Sequence, residues 1–342
     1  MNVFKLKKTL KFIGKRLLFL LPQLFGVTVV VFLLVRLIPG NPAYILLGQG
    51  ASNEAVAALS ERMGLNEPLW RQYCIFIADL FRGNMGTSWF TSNPVVVDIA
   101  KRLPATLELI TYSMIFIIIL SLAIAKVTAI RGNKYINRVL RGYGFLSGAF
   151  PDFWLCLIIV FLLYTLAGWI PAPIGRLDLI YIAPKQVTGF YTIDALLEGD
   201  WDKFVNTWAH LFAPILSMVI CNAGPILKMA QATMLRTQKE EYIKFAKDNG
   251  LSNKRVESMI FRNSLPPVLT LMGYIYMFMM GGSVLVENIF SWGGMGQYAV
   301  QSITHSDYAP MQMIVLITAL VSFIVYLVLD IIYYSIDPRV EI

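Results

Sequence analysis

The sequence predicts an all-α polytopic membrane protein of six transmembrane helices, with a structured external first loop and a charged helical loop on the cytoplasmic side. Three observations predict it. The chain of 342 residues is 57% hydrophobic and only 15% charged, with a mean hydropathy of +0.62, whereas soluble chains carry about 25% charged residues. Six apolar runs each approach the roughly 20 residues that cross ~30 Å of hydrocarbon. Lys and Arg collect in alternate connections between those runs, as they do in cytoplasmic loops.

The spans are expected at about Leu17–Leu37, Thr106–Ile130, Phe150–Trp169, Trp208–Ala230, Val268–Phe290 and Met311–Tyr334. All must be helices, because backbone groups in lipid need internal partners. The first run ends in LIPGNPA, without a small-residue cleavage signature, and reads as a retained helix. The N-terminal segment (Lys5, Lys7, Lys8, Lys11, Lys15, Arg16), the second-to-third connection (Arg131, Lys134, Arg138, Arg141) and the fourth-to-fifth connection (eight basic residues from Lys228 to Arg262) are basic. The third-to-fourth connection is mostly acidic, and the fifth-to-sixth has neither Lys nor Arg. Both termini are therefore expected in the cytoplasm.

The domains expected are residues 1–37 (cytoplasmic N-terminus and first span), an external helical loop over 38–105, and a core over 106–342 that contains a cytoplasmic loop at 236–266. In the external loop, Ser52 suits the N-cap of a helix that ends at Gly64, and Pro68 the first turn of another that ends near Gly83. The second piece, PLWRQYCIFIADLF, is rich in large apolar residues and is expected against the membrane face or the other helices.

The cytoplasmic stretch EYIKFAKDNGLSNKRVESMIFRNSLPP, Glu241–Pro267, is unusually charged for its apolar surroundings. Thr237 and Glu240 have the spacing of a capping box. Gly250 suits a left-handed helix end, Ser252 a second cap, and Pro266 and Pro267 a stop near Asn263. Tyr242, Phe245 and Ala246 recur at helical spacing on the first helix, as do Val256, Met259 and Ile260 on the second. Ala246 and Gly250 would let another surface come close. Such a hairpin can rest on lipid headgroups or dock a cytoplasmic partner; amphipathicity fits both.

Several function classes are disfavoured. No basic face with interleaved aromatics points to nucleic acid. Three cysteines, Cys74, Cys156 and Cys221, form neither a paired framework nor a metal spacing. Two histidines, His210 and His305, sit far from any HExxH pattern. No nucleophile and base converge within the spans, which argues against a membrane-embedded enzyme. An ion-coupled carrier would want mid-span acids and paired broken helices; here Glu108, Asp152, Glu287 and Asp330 lie near span ends. Asn222 and Glu287 are candidates for a translocation path or, for Glu287, contact with an external protein. Gly273, Gly281 and Gly282 read as helix-packing positions.

The charged stretch resembles the coupling loop, or EAA loop, of ABC-transporter permeases, and the chain is similar to the peptide and nickel branch of that family, the OppB/DppB type. The resemblance rests on RLIPGNPA (Arg36–Ala43), GLNEPLWRQY (Gly64–Tyr73), GNMGTS (Gly83–Ser88), RLPATLEL (Arg102–Leu109), PDFW (Pro151–Trp154), EYIKFAKDNGLS (Glu241–Ser252), RNSLPPV (Arg262–Val268), VENIFSWGGMG (Val286–Gly296) and DPR (Asp337–Arg339). The Glu-Ala-Ala that names the loop is absent: Lys244, Phe245 and Ala246 stand there, and Asn249 stands where the branch has Lys or Arg. The family's usual Trp-Pro-Gly turn is Trp292-Gly293-Gly294 here.

The resemblance implies a type I importer permease in a bacterial inner membrane. The chain would form half of a translocation path for di- or oligopeptides, with nickel chelates, glutathione or opines as other cargoes. It implies four kinds of partner: a second homologous permease, two ATPase subunits, an external solute-binding protein and the bilayer. It points to Glu241, Tyr242, Phe245, Ala246, Gly250, Leu251, Arg262 and Asn263 as the ATPase-coupling residues. ATP and magnesium would sit on the ATPases, since the chain has no GxxxxGK[ST] phosphate loop and is expected to bind no cofactor and to catalyse nothing itself.

Overall fold

The computed structural model describes residues 3–37, 42–48, 50–62, 64–132 and 134–336. Parts of the RLIPGNPA motif and the DPR motif lie outside the described residues. The described chain is helical: α1 (Val3–Leu37), α2 (Pro42–Leu47), α3 (Asn53–Arg62), α4 (Leu69–Phe81), α5 (Val95–Arg131), α6 (Lys134–Leu146), α7 (Asp152–Ile159), α8 (Tyr191–Glu198), α9 (Trp201–Thr237), α10 (Glu241–Asp248), α11 (Asn253–Ile289), α12 (Met295–Thr304) and α13 (Tyr308–Ile336). Among the described residues, five helices are long and apolar enough to cross a membrane, over Leu18–Leu37, Val95–Ile130, Trp201–Thr237, Asn253–Ile289 and Tyr308–Ile332.

The third expected span, Phe150–Trp169, takes a different form. It is α7 followed by a π-helical stretch, Val160–Leu166, an apolar helix of 15 residues from Asp152. At 1.5 Å per residue that is about 22 Å, short of the ~30 Å of hydrocarbon. The other helices overshoot their spans. Three of them, α5, α9 and α11, have 37 residues each, about 55 Å. Lipid thickness limits the apolar stretch, not the helix, which continues until a capping residue ends it.

The chain divides into two compact units: one holds the residues up to Leu103 with Gln297–Ile324, the other Pro104–Gly296 with the residues from Val325 onwards.

In the first unit, the expected caps form. The Ser52 hydroxyl accepts the Ala55 N–H at 3.2 Å, and the Leu65 N–H closes the end of α3 on the Ser60 carbonyl. Helix α4 lies on α1: Tyr73 meets Phe32 edge-on at 5.4 Å and the Tyr73 hydroxyl is 2.7 Å from that of Thr28. Two carboxylates organise the rest. Asp98 accepts from Thr91, Asn93 and Tyr298, and burial pushes the Tyr298 phenol well above its usual pKa. Asp307, wholly buried, accepts from the Ser88 hydroxyl at 2.6 Å and the Trp89 N–H at 2.8 Å.

In the second unit, α9 and α11 form the centre and α7 packs against both. Gly273 on α11 permits a close crossing with α13, because a Cβ there would strike the Leu329 side chain. Glu108 on α5 is wholly buried and paired with Arg176, as a structural reading of its position near a span end expects. Its other oxygen accepts the Thr192 N–H at 2.9 Å and hydroxyl at 2.7 Å. Arg176 also donates to the Gly189 carbonyl at 2.9 Å and lies 3.5 Å over the Tyr191 ring. This cluster ties the long third-to-fourth connection to α5.

Candidate functional site

The charged stretch folds as helix, glycine corner, helix, but its punctuation differs from the expectation. Thr237 does not cap α10. It is the last residue of α9, and its hydroxyl meets that of Ser264 on α11 at 3.2 Å, while Ser264 donates to the Ile260 carbonyl at 2.6 Å. Glu240 occupies the N-cap position of α10 without a side-chain cap. The end of α10 is as expected: Gly250 has φ +75°, and the Gly250 and Leu251 N–H groups return to the carbonyls of Lys247 (2.9 Å) and Ala246 (3.1 Å). Ser252 stands at the next N-cap, but its carbonyl, not its hydroxyl, receives the first N–H groups of α11.

The larger correction concerns Pro266 and Pro267. They stop nothing: both lie inside α11, which runs unbroken from Asn253 to Ile289. Two prolines remove the hydrogen bonds to the carbonyls of residues 262 and 263. Arg262 and Asn263 are both exposed, so those carbonyls can find partners outside the helix. The second short helix and the fifth span are therefore one rod.

The faces of α10 also shift by one position. Ile243 is wholly buried and Ala246 nearly so, and they pack α10 against its own chain beside α11. Tyr242 and Phe245 point outward at 44% and 71% exposure, with Leu251 at 36%. Glu241 and Gly250 are exposed as well. Ala246 thus serves an internal close approach rather than an external one. On α11, Val256 and Ile260 are buried as their spacing predicts. The open surface of the loop is two aromatics and a leucine among charges.

The two path candidates separate. Asn222 on α9 lines a cavity of about 540 Å³ between α7, α9 and α11, bounded also by Asp152, Tyr274 and Phe278. Its amide donates to the Met218 carbonyl at 2.9 Å. Glu287 lines no surface: it is wholly buried, accepts from the Thr106 hydroxyl at 2.6 Å, and lies 3.3 Å from the Ser283 hydroxyl. Thr106 in turn receives the Met295 N–H at 2.8 Å, and the Trp292 indole donates to the Ala105 carbonyl at 2.9 Å. Glu287 therefore clamps the SWGGMG turn onto α5. Asp152, placed near a span end by the sequence, is the first residue of α7. Its membership of the cavity needed α7, α9 and α11 to be brought together.

Comparison with known proteins gives this geometry a family. The description "Binding-protein-dependent transport system inner membrane component" matches residues 117–342, and its N-terminal companion matches residues 9–110. The chain is 36% identical to a dipeptide transport system permease protein, DppB, of Alkalihalophilus pseudofirmus, over 96% of this chain and 98% of that one. It is 35% identical to a di/tripeptide permease of Pseudomonas aeruginosa, over 97% and 99% of the two chains. It is 29% identical to the glutathione permease GsiC of Escherichia coli, again over 97% and 99%. A multi-pass helical chain matched over its length in this way belongs to the family of binding-protein-dependent transport system inner membrane components.

Proposed function

We propose that this chain is one permease subunit of an ATP-driven importer of di- and oligopeptides. It would form half of the path beside a second homologous permease, with two ATPases on the cytoplasmic side and a solute-binding protein outside. The observation that carries the coupling role is the joint at Gly250. A short helix with Tyr242 and Phe245 exposed is packed by Ile243 and Ala246 onto the base of a 37-residue helix. The apolar side of α10 fits a groove on an ATPase, and Glu241, Leu251, Arg262 and Asn263 edge the same surface. Both termini would be cytoplasmic, by the distribution of Lys and Arg.

In this reading the chain moves substrate and catalyses nothing. ATP binds the closed pair of ATPases better than the open pair, and that difference drives the alternation of states. ATP and magnesium belong to the partners. The peptide cargo is supported by the dipeptide and di/tripeptide permeases that the chain resembles over nearly its whole length. Glutathione is the second reading, favoured by the glutathione permease among its relatives.

Co-purification tests the assembly. The tagged chain is expressed with its neighbouring permease and ATPase genes, and wild type is compared with Phe245→Arg and Gly250→Pro. Phe245→Arg changes an exposed side chain, so the fold and the second permease should be kept while the ATPases are lost. Retention of the ATPases by both variants would return the loop to a headgroup-bound hairpin.

A further inference from the structure

Among the described residues, Asp152 is the single charged side chain that lines the cavity between α7, α9 and α11, and the Cys221 thiol lies within its reach. A carboxylate among largely apolar walls in a membrane chain calls for a functional partner. The other polar atoms around it offer acceptors. Asn222 gives one of its two amide N–H groups to the Met218 carbonyl, and its amide oxygen remains an acceptor. Ser147 borders the same cavity, but its hydroxyl is buried against Gly224 and does not face it. Tyr274 and Phe278 line it too and are 61% and 55% exposed, so their ring faces are open. A carboxylate, an amide oxygen and two aromatic rings form the complement of a primary ammonium, which carries three donors and is drawn to ring faces.

Position favours the charge. Asp152 stands in the first turn of α7, where the backbone N–H groups of the helix start stabilise an anion. Gly282 on α11 keeps the approach open: a Cβ there would lie 3.5 Å from the Asp152 Oδ2. The cavity, about 540 Å³, is within the range that holds a small ligand. Among the described residues, neither Lys nor Arg lines it, so none of them would hold a substrate carboxylate there.

Building on the peptide-import reading, we propose that Asp152 receives the α-ammonium group of the peptide as it passes through this half of the path. Asn222 completes the acceptor set, and Tyr274 and Phe278 flank the cation.

The test uses the complete transporter in proteoliposomes, with the binding protein saturated with dialanine so that capture outside the membrane is not limiting. Uptake and ATP hydrolysis are measured together. Asp152→Asn should lower dialanine uptake per ATP hydrolysed about tenfold, equivalent to about 1.4 kcal/mol, while the ATPase rate stimulated by loaded binding protein persists. Asp152→Glu should stay within about twofold of wild type. Wild-type uptake per ATP in Asp152→Asn overturns the proposal. So does an Asp152→Glu variant as poor as Asp152→Asn, which would make the site one of fit rather than charge. A wild-type transporter that hydrolyses ATP but takes up no dialanine refutes the peptide reading instead, and is told apart by being independent of position 152.

Discussion

The pairing of Glu108 with Arg176 yields a prediction with a calculable size. Glu108→Ala removes a wholly buried carboxylate. It leaves the Arg176 guanidinium, in a residue only 8% exposed, without its counter-charge, and strips the Thr192 N–H and hydroxyl of their acceptor. Breaking a buried ion pair from one side costs about 3–5 kcal/mol. With an unfolding entropy of about 2.1 cal/mol/K per residue over 342 residues, that corresponds to a fall of about 4–7 °C in melting midpoint. Thermal unfolding in detergent, followed by tryptophan fluorescence, reads it. The double variant Glu108→Leu with Arg176→Met removes both charges at similar volume. It should recover part of the loss, because no buried charge is left alone and only the Thr192 donors and the Gly189 carbonyl lose partners, at about 1–3 kcal/mol each. A single variant that melts within 1 °C of wild type, or a double variant no better than the single, would refute the claim that the charge pair organises this region.

Three further outcomes follow. Gly250→Val should destabilise the corner by about 1–2 kcal/mol, since Gly250 holds φ +75° and a side chain resists that region; hydrogen exchange in α10 should rise while that in α9 is unchanged. Gly273→Leu should cost about 1–3 kcal/mol through overpacking against Leu329, and Leu329→Ala in the same chain should relieve it, as melting midpoints will show. The Asn206 amide at 2.5 Å, and then His210, hold the Asp178 carboxyl below its usual pKa. A depressed pKa adds stability above the unfolded value of about 3.9 and loses it as pH falls through the folded value. Asp178→Asn should therefore lie below wild type at pH 7, and the gap should close as pH falls below the folded-state value; it should be small because the side chain is 38% exposed.

Local chemistry was the most legible part of the chain. Gly64, Gly83 and Gly250 act through their own backbone and Ser52 through its hydroxyl, and each ends or starts a helix where its type predicts. The errors arose where a local signal had a non-local competitor. Thr237 and Glu240 have capping-box spacing, yet Ser264, 27 residues on, meets the Thr237 hydroxyl within a helix that has not yet ended. Pro266 and Pro267 read as a stop, yet the carbonyls they orphan belong to exposed residues and the helix persists. On α10 the periodicity was right and the buried face was off by one, because Ile243 and Tyr242 are both apolar enough to face inward and only packing decides. Glu108 and Arg176 stand 68 residues apart, and no pattern within either segment announces the other. The cavity at Asp152 likewise exists only once three distant helices meet.

The absence of a joint in α11 has a mechanical meaning. Apart from the two hydrogen bonds missing at Pro266 and Pro267, a helix of about 55 Å has nowhere to absorb displacement by bending. A tilt of about 10° imposed near Asn253 would carry the opposite end sideways by about 10 Å. That opposite end is where Glu287, Thr106 and Trp292 fasten the SWGGMG turn to α5. A push at the charged loop would arrive there almost undiminished, as at the far arm of a seesaw, and α5 would have to travel with it or let go of the turn.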